Sequence, residues 1–317
     1  MIYLKKKVAL LFGGKSFEHD VSIKSAISIF ENIDLNKFEL QGIYVDKENK
    51  FYKSKIYDLS ENKVIDNIIS YLKKFDIVFP IIHGKYGEDG KLQGMLDFFD
   101  IKYVGSKTIG SAIGMDKEIS KIIFKSLGIP VIPYKVTNYV DCDINDIEKL
   151  GYPMIVKPVN GGSSIGVSKV ENKKQLFKAI KYANKFDTRV IIEKFIKAQE
   201  LECAILEDKE IYVSDVGEII IDDGFYDYDA KYKNETSTLL SANIDDSIKD
   251  KIKEYAKKAF IGINAKNFSR VDFFYDGENI YINEINTLPG FTNISMYPKL
   301  MENKCSYRKL ITKLLSI

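Results

Sequence analysis

The sequence predicts an α/β protein built from two or three packed units, and three observations predict it. In the first third, the apolar runs VALLF, LQGIYVD and FDIVFPIIHG are separated by the helical stretch VSIKSAISIFENI and by polar turns. That order gives an open parallel sheet whose ligands gather at the C-terminal strand ends. At 317 residues the chain exceeds a single small core. Two later stretches, 154–170 and 270–286, read as hairpins around glycine-containing loops.

The elements follow in order. A first unit, residues 1–105, carries two polar loops at strand ends, GGKSFEHD and HGKYGEDG, and the helix KLQGMLDFFD. A middle unit, 106–193, holds the helix MDKEISKIIFKSLG, ended by Gly128 and Pro130, and the first hairpin. A last unit, 194–317, holds the strand LECAIL, the loop DDGFYDYDAKYKNETST, the helix DSIKDKIKEYAKKAFIGI and the second hairpin. The loop 222–238 is too long and aromatic for a passive connection, which predicts a lid.

Charge and cysteine usage narrow the function. With 47 basic against 45 acidic side chains and no long run of one sign, the chain offers no electrostatic footprint for nucleic acid or an anionic membrane. The expected substrates are small molecules. Three separated cysteines without C-x-x-C, and two histidines, argue against a zinc site or a disulfide framework. The N-terminal VALLF is too short for a signal peptide, and no apolar run reaches spanning length, so the expected location is the cytoplasm.

The first hairpin contains VKPVNGGSSIGVSKV, residues 156–170. Gly161 and Gly166 have the glycine spacing of a Walker A loop, but Val167 stands where its lysine belongs, and Lys157 closes the preceding strand instead. MIVKP and IGVSKV read as strands, so the motif is strand, Gly/Ser loop, strand. Such a loop can fold over a triphosphate as a flap, with Lys157 reaching in from the strand end.

In the second hairpin, RVDFFYDGENIYINEIN, side chains two apart share a face. A three-residue turn over Gly277 to Asn279 places Asp272 opposite Glu284 and Arg270 opposite Asn286. Facing carboxylates repel on an ordinary sheet. Two carboxylates and an amide are, however, a donor set that magnesium accepts beside nucleotide phosphates. Arg270 beside them can hold an oxygen that gains charge in a transition state, and TLPGFTNISMYP adds the amides of Gly290, Ser295 and Met296 as an anion-binding loop.

These motifs resemble the ATP-grasp ligases, and most closely the D-alanine:D-alanine ligase family, through LFGGKSFEHDVS, IIHGKYGEDGKLQG, MDK, IVKPVNGGSSIGVSKV, IIEKFI, FYDYDAKY, RVDFF and NEINTLPGFTNISMYP. The resemblance covers nearly the whole chain. It implies the ATP-grasp architecture, an N-terminal open parallel sheet domain plus two α/β units gripping ATP between them. It also implies that Glu18 and His83 face the first D-alanine, and that Lys117, Lys157 and Lys231 contact phosphates. The backbone of Glu193, Lys194 and Ile196 would hold adenine, and Glu200 the ribose. Asp272, Glu284 and Asn286 would bind two Mg2+ ions, with Mn2+ as a substitute.

By the same resemblance, Tyr232 in the lid hydrogen-bonds toward Ser163 and Glu18, while Ser295 and Met296 bind the carboxylate of the second D-alanine. The implied reaction phosphorylates one D-alanine to an acyl phosphate, which the amine of the second attacks, with Arg270 and the Gly290 amide on the oxyanion. A homodimer is implied as well, although no surface in the sequence marks its interface. One departure stands out: Ser241 replaces the proline that relatives carry after the lid, which frees its exit. Two ligase variants, taking D-lactate or D-serine second, and two other readings, a nucleotide-binding module and a kinase that stops after phosphoryl transfer, remain alternatives at this point.

Overall fold

The computed structural model describes residues 4–221 and 237–316, and its strands form three sheets. In the first, β1 (Lys6–Gly13) pairs in parallel with β2 (Phe38–Val45) and β5 (Ile77–Pro80). Its side chains are buried from Val8 onward, which is why VALLF carries no polar alternation. Helix α1 (His19–Asn32) supplies the crossover from β1 to β2.

Two strands absent from the sequence reading, β3 (Phe51–Lys55) and β4 (Asp58–Val64), extend the β2 edge in antiparallel fashion, giving the order β4-β3-β2-β1-β5. The parallel sheet is therefore the centre of a mixed one. Short turns between β2, β3 and β4 permit only antiparallel pairing. The outer strand is largely exposed and charged, as edges usually are.

Beyond α2 (Ile68–Leu72) and α3 (Lys91–Phe98), the helix expected from Met115 begins instead at Lys117, and an additional helix precedes it, the two meeting at Asp116. Helix α4 (Thr108–Met115) ends there, and Asp116 accepts from the amides of Glu118 and Ile119 to cap α5 (Lys117–Ser126). The second sheet is antiparallel, in the order β6 (Tyr134–Thr137), β9 (Val190–Lys194), β7 (Met154–Pro158), β8 (Ser168–Val170). Helices α6 (Ile144–Glu148) and α7 (Lys173–Ala183) close its core. The expected strand IGVSKV shrinks to its last three residues. Ser163, Ser164 and Gly166 have φ of 54°, 57° and 77°, a left-handed backbone that cannot join a ladder.

The third sheet runs β13 (Ser237–Ser241), β12 (Gly217–Ile221), β10 (Gln199–Glu207), β14 (Phe268–Tyr275), β15 (Ile280–Asn286), with β11 (Ile211–Val213) also on β10. Its core includes Phe260 of α8 (Asp246–Gly262) and Phe124 of α5. The first and third sheets share a further core, in which the rings of Phe79, Phe268, Phe291 and Tyr297 pile together. Helices α9 (Met296–Met301) and α10 (Tyr307–Leu315) seal it. The loop 287–295 thus rests on a rigid aromatic base. Among the described residues, no helix is long and apolar enough to cross a membrane.

Candidate active site

The second hairpin pairs as its spacing predicts: Asp272 lies opposite Glu284 and Arg270 opposite Asn286. The route differs. The turn has four residues, between the Tyr275 and Ile280 pair, and a bulge between Asp272 and Phe273 leaves Asn283 unpaired and restores the register. The Arg270 guanidinium forks onto Asp272, with Nε to Oδ1 at 2.7 Å and Nη2 to Oδ2 at 2.8 Å. Asn286 Nδ2 donates to Asp272 Oδ2 at 3.0 Å, and Arg270 Nε lies 3.1 Å from Glu202 Oε2. Lys117 Nζ, at 3.6 Å, sets a positive charge beside Glu284. Two carboxylates facing one another are thus held by two cations and an amide.

This donor set is all oxygen and fits Mg2+ or Mn2+. Among the described residues no group of three or more His, Cys, Asp or Glu side chains is placed to hold a metal. An ion here would therefore take Asp272, Glu284, Asn286 and oxygens from a bound nucleotide.

Two cavities meet at this hairpin. One, of about 80 Å³, is lined by Glu18, His83, Glu88, Ser163, Arg270, Glu284, Asn286, Gly290, Ser295 and Met296. The other, of about 280 Å³, lies between the second and third sheets and is lined by Lys117, Lys157, Ser163, Glu193, Lys194, Ile196, Glu200 and Glu284, with Ile155 and Phe274 as apolar walls. Every described site residue named from the sequence lines one or both, except Asp272, which lies behind Arg270. Lys231 and Tyr232 lie outside the described residues.

The first-sheet loops and the flap meet over Glu18. A Cβ on Gly84 would come 2.5 Å from Glu18 Oε2, and one on Gly162 would come 3.3 Å from it, so glycine is what lets this carboxylate sit between the two loops. Ser163 beside it is buried, strained at φ 54°, and its Oγ has no hydrogen-bond partner among the described residues. A buried hydroxyl without a partner costs about 1–3 kcal/mol, and strain of this kind gathers at ligand sites. Lys117 Nζ donates to the Gly161 carbonyl at 2.5 Å, tying the flap to α5.

His83 is committed to the scaffold. Its Nδ1–H donates to the Leu288 carbonyl at 3.1 Å, and Nε2 pairs with Ser25 Oγ at 3.0 Å. The Phe291 amide donates to the same Ser25 oxygen at 3.3 Å, so the hydroxyl proton is available to Nε2. Burial lowers the pKa of the ring below its ordinary value, against the pull of Glu18, and leaves it neutral. His83 lines the cavity while fixing the loop that carries Gly290. Ser295 Oγ accepts from the Thr292 amide at 3.0 Å and pairs with Thr292 Oγ1 at 2.7 Å, closing that loop at its other end.

Three residues of the site were not read from the sequence. Glu88 lines the smaller cavity, accepts from the Gly84 amide at 2.9 Å, and is pushed well above the usual carboxylate range by burial first and by the Glu18 charge second. Glu202 backs Arg270. Lys121 is wholly buried, 2.8 Å from Glu193 Oε1, while Lys157 lies 2.8 Å from Glu193 Oε2. Burial alone would raise the Glu193 carboxyl; the two ammonium groups overturn that and hold it at about 2. The one legible signal for Lys121 is its i,i+4 spacing from Lys117 on α5.

The family model described as D-ala D-ala ligase N-terminus matches residues 7–106, and that described as D-ala D-ala ligase C-terminus matches residues 123–316. A D-alanine--D-alanine ligase of Acetivibrio thermocellus is 41% identical, over 99% of this chain and 96% of its own. One of Oceanobacillus iheyensis is 40% identical, over 99% and 95%. Among solved structures, the VanG D-Ala:D-Ser ligase of Enterococcus faecalis superposes with a TM-score of 0.88 at 36% identity over 99% of both chains. The Bacillus anthracis D-alanine--D-alanine ligase complexed with ATP superposes with 0.81 at 28%, over 98% and 96%. With both family models and full-length relatives matched, the chain belongs to the D-alanine--D-alanine ligase family.

Proposed function

We propose that this protein joins two D-alanine molecules at the expense of ATP, making D-alanyl-D-alanine for peptidoglycan precursors in the cytoplasm, where ATP is found. The observation that carries the reading is the meeting of the two cavities at Ser163, Lys117 and Glu284, which joins a compartment suited to a nucleotide to one suited to two small zwitterions.

In this reading the adenine lies along the Glu193 to Ile196 backbone, Glu200 faces the ribose, and Lys117 and Lys157, with Lys231, meet the phosphates. Asp272, Glu284 and Asn286 would hold two Mg2+ ions, whose chemistry would be neutralisation of phosphate charge. Glu18 receives the ammonium of the first D-alanine. The Ser295 and Met296 turn receives the carboxylate of the second. Arg270 and the Gly290 amide stabilise the oxyanion formed when the second amine attacks the acyl phosphate. Water must be excluded from that intermediate, a task we assign to the flap and to the lid carrying Tyr232. The division at 105/106 and 193/194 is part of this proposal; the separate core of the second sheet supports the middle unit. So is a homodimer, supported by the exposed Phe98 and Ile109 on the packed helices α3 and α4.

The test is phosphate release with ATP and Mg2+, comparing no amino acid, D-alanine, L-alanine, and D-alanine with D-lactate or D-serine, with products identified by mass. D-alanine alone should drive turnover to the dipeptide. The likeness to a D-Ala:D-Ser ligase makes the serine arm the informative competitor: turnover that needs D-serine would reassign the second subsite. ATP binding without turnover would leave only a nucleotide-binding module.

A further inference from the structure

The Glu193 carboxylate has more positive charge than it needs. Lys121 and Lys157 each approach one of its oxygens at 2.8 Å, and all three side chains are buried, with 0%, 11% and 3% exposure for Lys121, Lys157 and Glu193. The two lysines are not equivalent. Lys157 lines the larger cavity at the end of β7, whereas Lys121 stands behind Glu193 on α5 and lines neither of the two cavities of the site. Lys121 also stands on an anchored helix. The helix beneath it is capped by Asp116, and Asp116 and Glu118 are both clamped by Arg189, which precedes β9. The ring of Tyr134 lies 5.9 Å from its ammonium.

Leaving a buried carboxylate without its only counter-ion is costly. If Lys157 alone neutralised Glu193, drawing its ammonium onto a phosphate would incur that cost. We propose that Lys121 is a positioning residue for the nucleotide: it stays on Glu193 as a standing counter-ion, so that Lys157 can transfer from Glu193 to the phosphates when ATP binds. The inference rests on the assignment of Lys157 as a phosphate contact. Glu193 then has two roles, its backbone for the base and its side chain as the resting place of the transferable lysine. A second carboxylate, Glu284, also lies close enough to Lys121 to favour its charge.

The test compares binding of ATP and of adenosine, which has no phosphate, to the full-length protein by calorimetry. Lys157→Met should weaken ATP about tenfold and leave adenosine within about threefold. Lys121→Met should do the same without touching the cavity, raising KM for ATP about tenfold while KM for D-alanine stays within about twofold. Lys121→Arg should bind ATP within about threefold of the parent. The double variant Lys121→Met with Glu193→Gln removes the carboxylate that would retain Lys157, is neutral at the buried pair, and should recover ATP binding; it also serves if the single variant fails to fold. Equal losses for ATP and adenosine in Lys121→Met would assign the residue to stability alone and overturn the inference, as would unchanged ATP binding. Unchanged ATP binding in Lys157→Met would instead overturn the phosphate assignment on which it stands.

Discussion

Replacing His83 by alanine should destabilise the protein by about 3 kcal/mol, and the figure follows from what the ring holds. The Leu288 carbonyl and the Ser25 hydroxyl each lose a buried partner, at about 1–3 kcal/mol apiece. For a 317-residue chain with an unfolding entropy of about 2.1 cal/mol/K per residue, that is a fall in Tm of about 4–5 °C in scanning calorimetry. His83→Asn can keep the donor to Leu288 and should recover roughly half. The pH dependence gives a second readout. Burial depresses the pKa of the ring, so above about pH 6.5 it is neutral folded or unfolded. Below that pH the unfolded chain takes up a proton that the folded one refuses, and stability falls. The His83→Asn variant lacks this component, so its deficit should narrow on acidification from pH 7.5 to 5.5. A Tm within 1 °C of the parent for His83→Ala, or a gap that does not narrow, would refute the role of His83 in fixing the loop that carries Gly290.

The remaining predictions are shorter. The Glu193 carboxyl is held at about 2 against an ordinary 4.5, so it contributes about 3 kcal/mol above pH 4.5, lost as pH falls toward 2; the urea midpoints of the parent and of Glu193→Gln should converge between pH 5 and 3. At Lys121, by contrast, burial outweighs pairing and lowers the pKa, so the penalty on its charge is present at neutral pH and is relieved only as the pH rises through the alkaline range. Gly290→Ala puts a Cβ 2.7 Å from Ser295 Oγ and should raise KM for the second D-alanine about tenfold with Tm within about 2 °C, read by steady-state kinetics. Arg270→Lys keeps the charge but not the fork onto Asp272, and kcat should fall about 10²–10³-fold with KM for ATP within about threefold.

How much of this could be read beforehand depended on the range of the interaction. The pairing of Asp272 with Glu284 followed from period-two spacing, and it survived two local errors that cancel, a turn one residue longer than expected and the bulge at Asn283. The flap was legible as a Gly/Ser loop, but the left-handed backbone of Ser163 and Ser164 was not, since serine carries no preference for it and tertiary contacts impose it. Lys121 was one of 47 basic residues, and beyond its i,i+4 spacing from Lys117 it is burial that distinguishes it. The aromatic pile joining the first and third sheets was invisible for the same reason. An apolar run announces that it will be buried and says nothing about its partner, so Phe79 and Phe268, 189 positions apart in the numbering, gave no sign that they would meet.

The displaced lysine of the flap has a structural reason. In a Walker A loop the phosphates rest on the free amides of a helix N-terminus. The helix nearest this site, α5, has its first amides already taken, because Asp116 accepts from Glu118 and Ile119 and places a carboxylate where an anion would sit. Arg189 holds that carboxylate in place. An anion in this cleft must therefore be met by side-chain ammonium groups and by the flap's own amides. Lys117 comes from the first turn of α5 and Lys157 from the end of β7, one on each side of the cavity. A lysine after Gly166 would instead stand just before β8, at the edge of the second sheet, whereas Lys157 lies on the inner strand β7 beside Glu193. The position of Lys157 before the loop is what a phosphate site between two sheets requires.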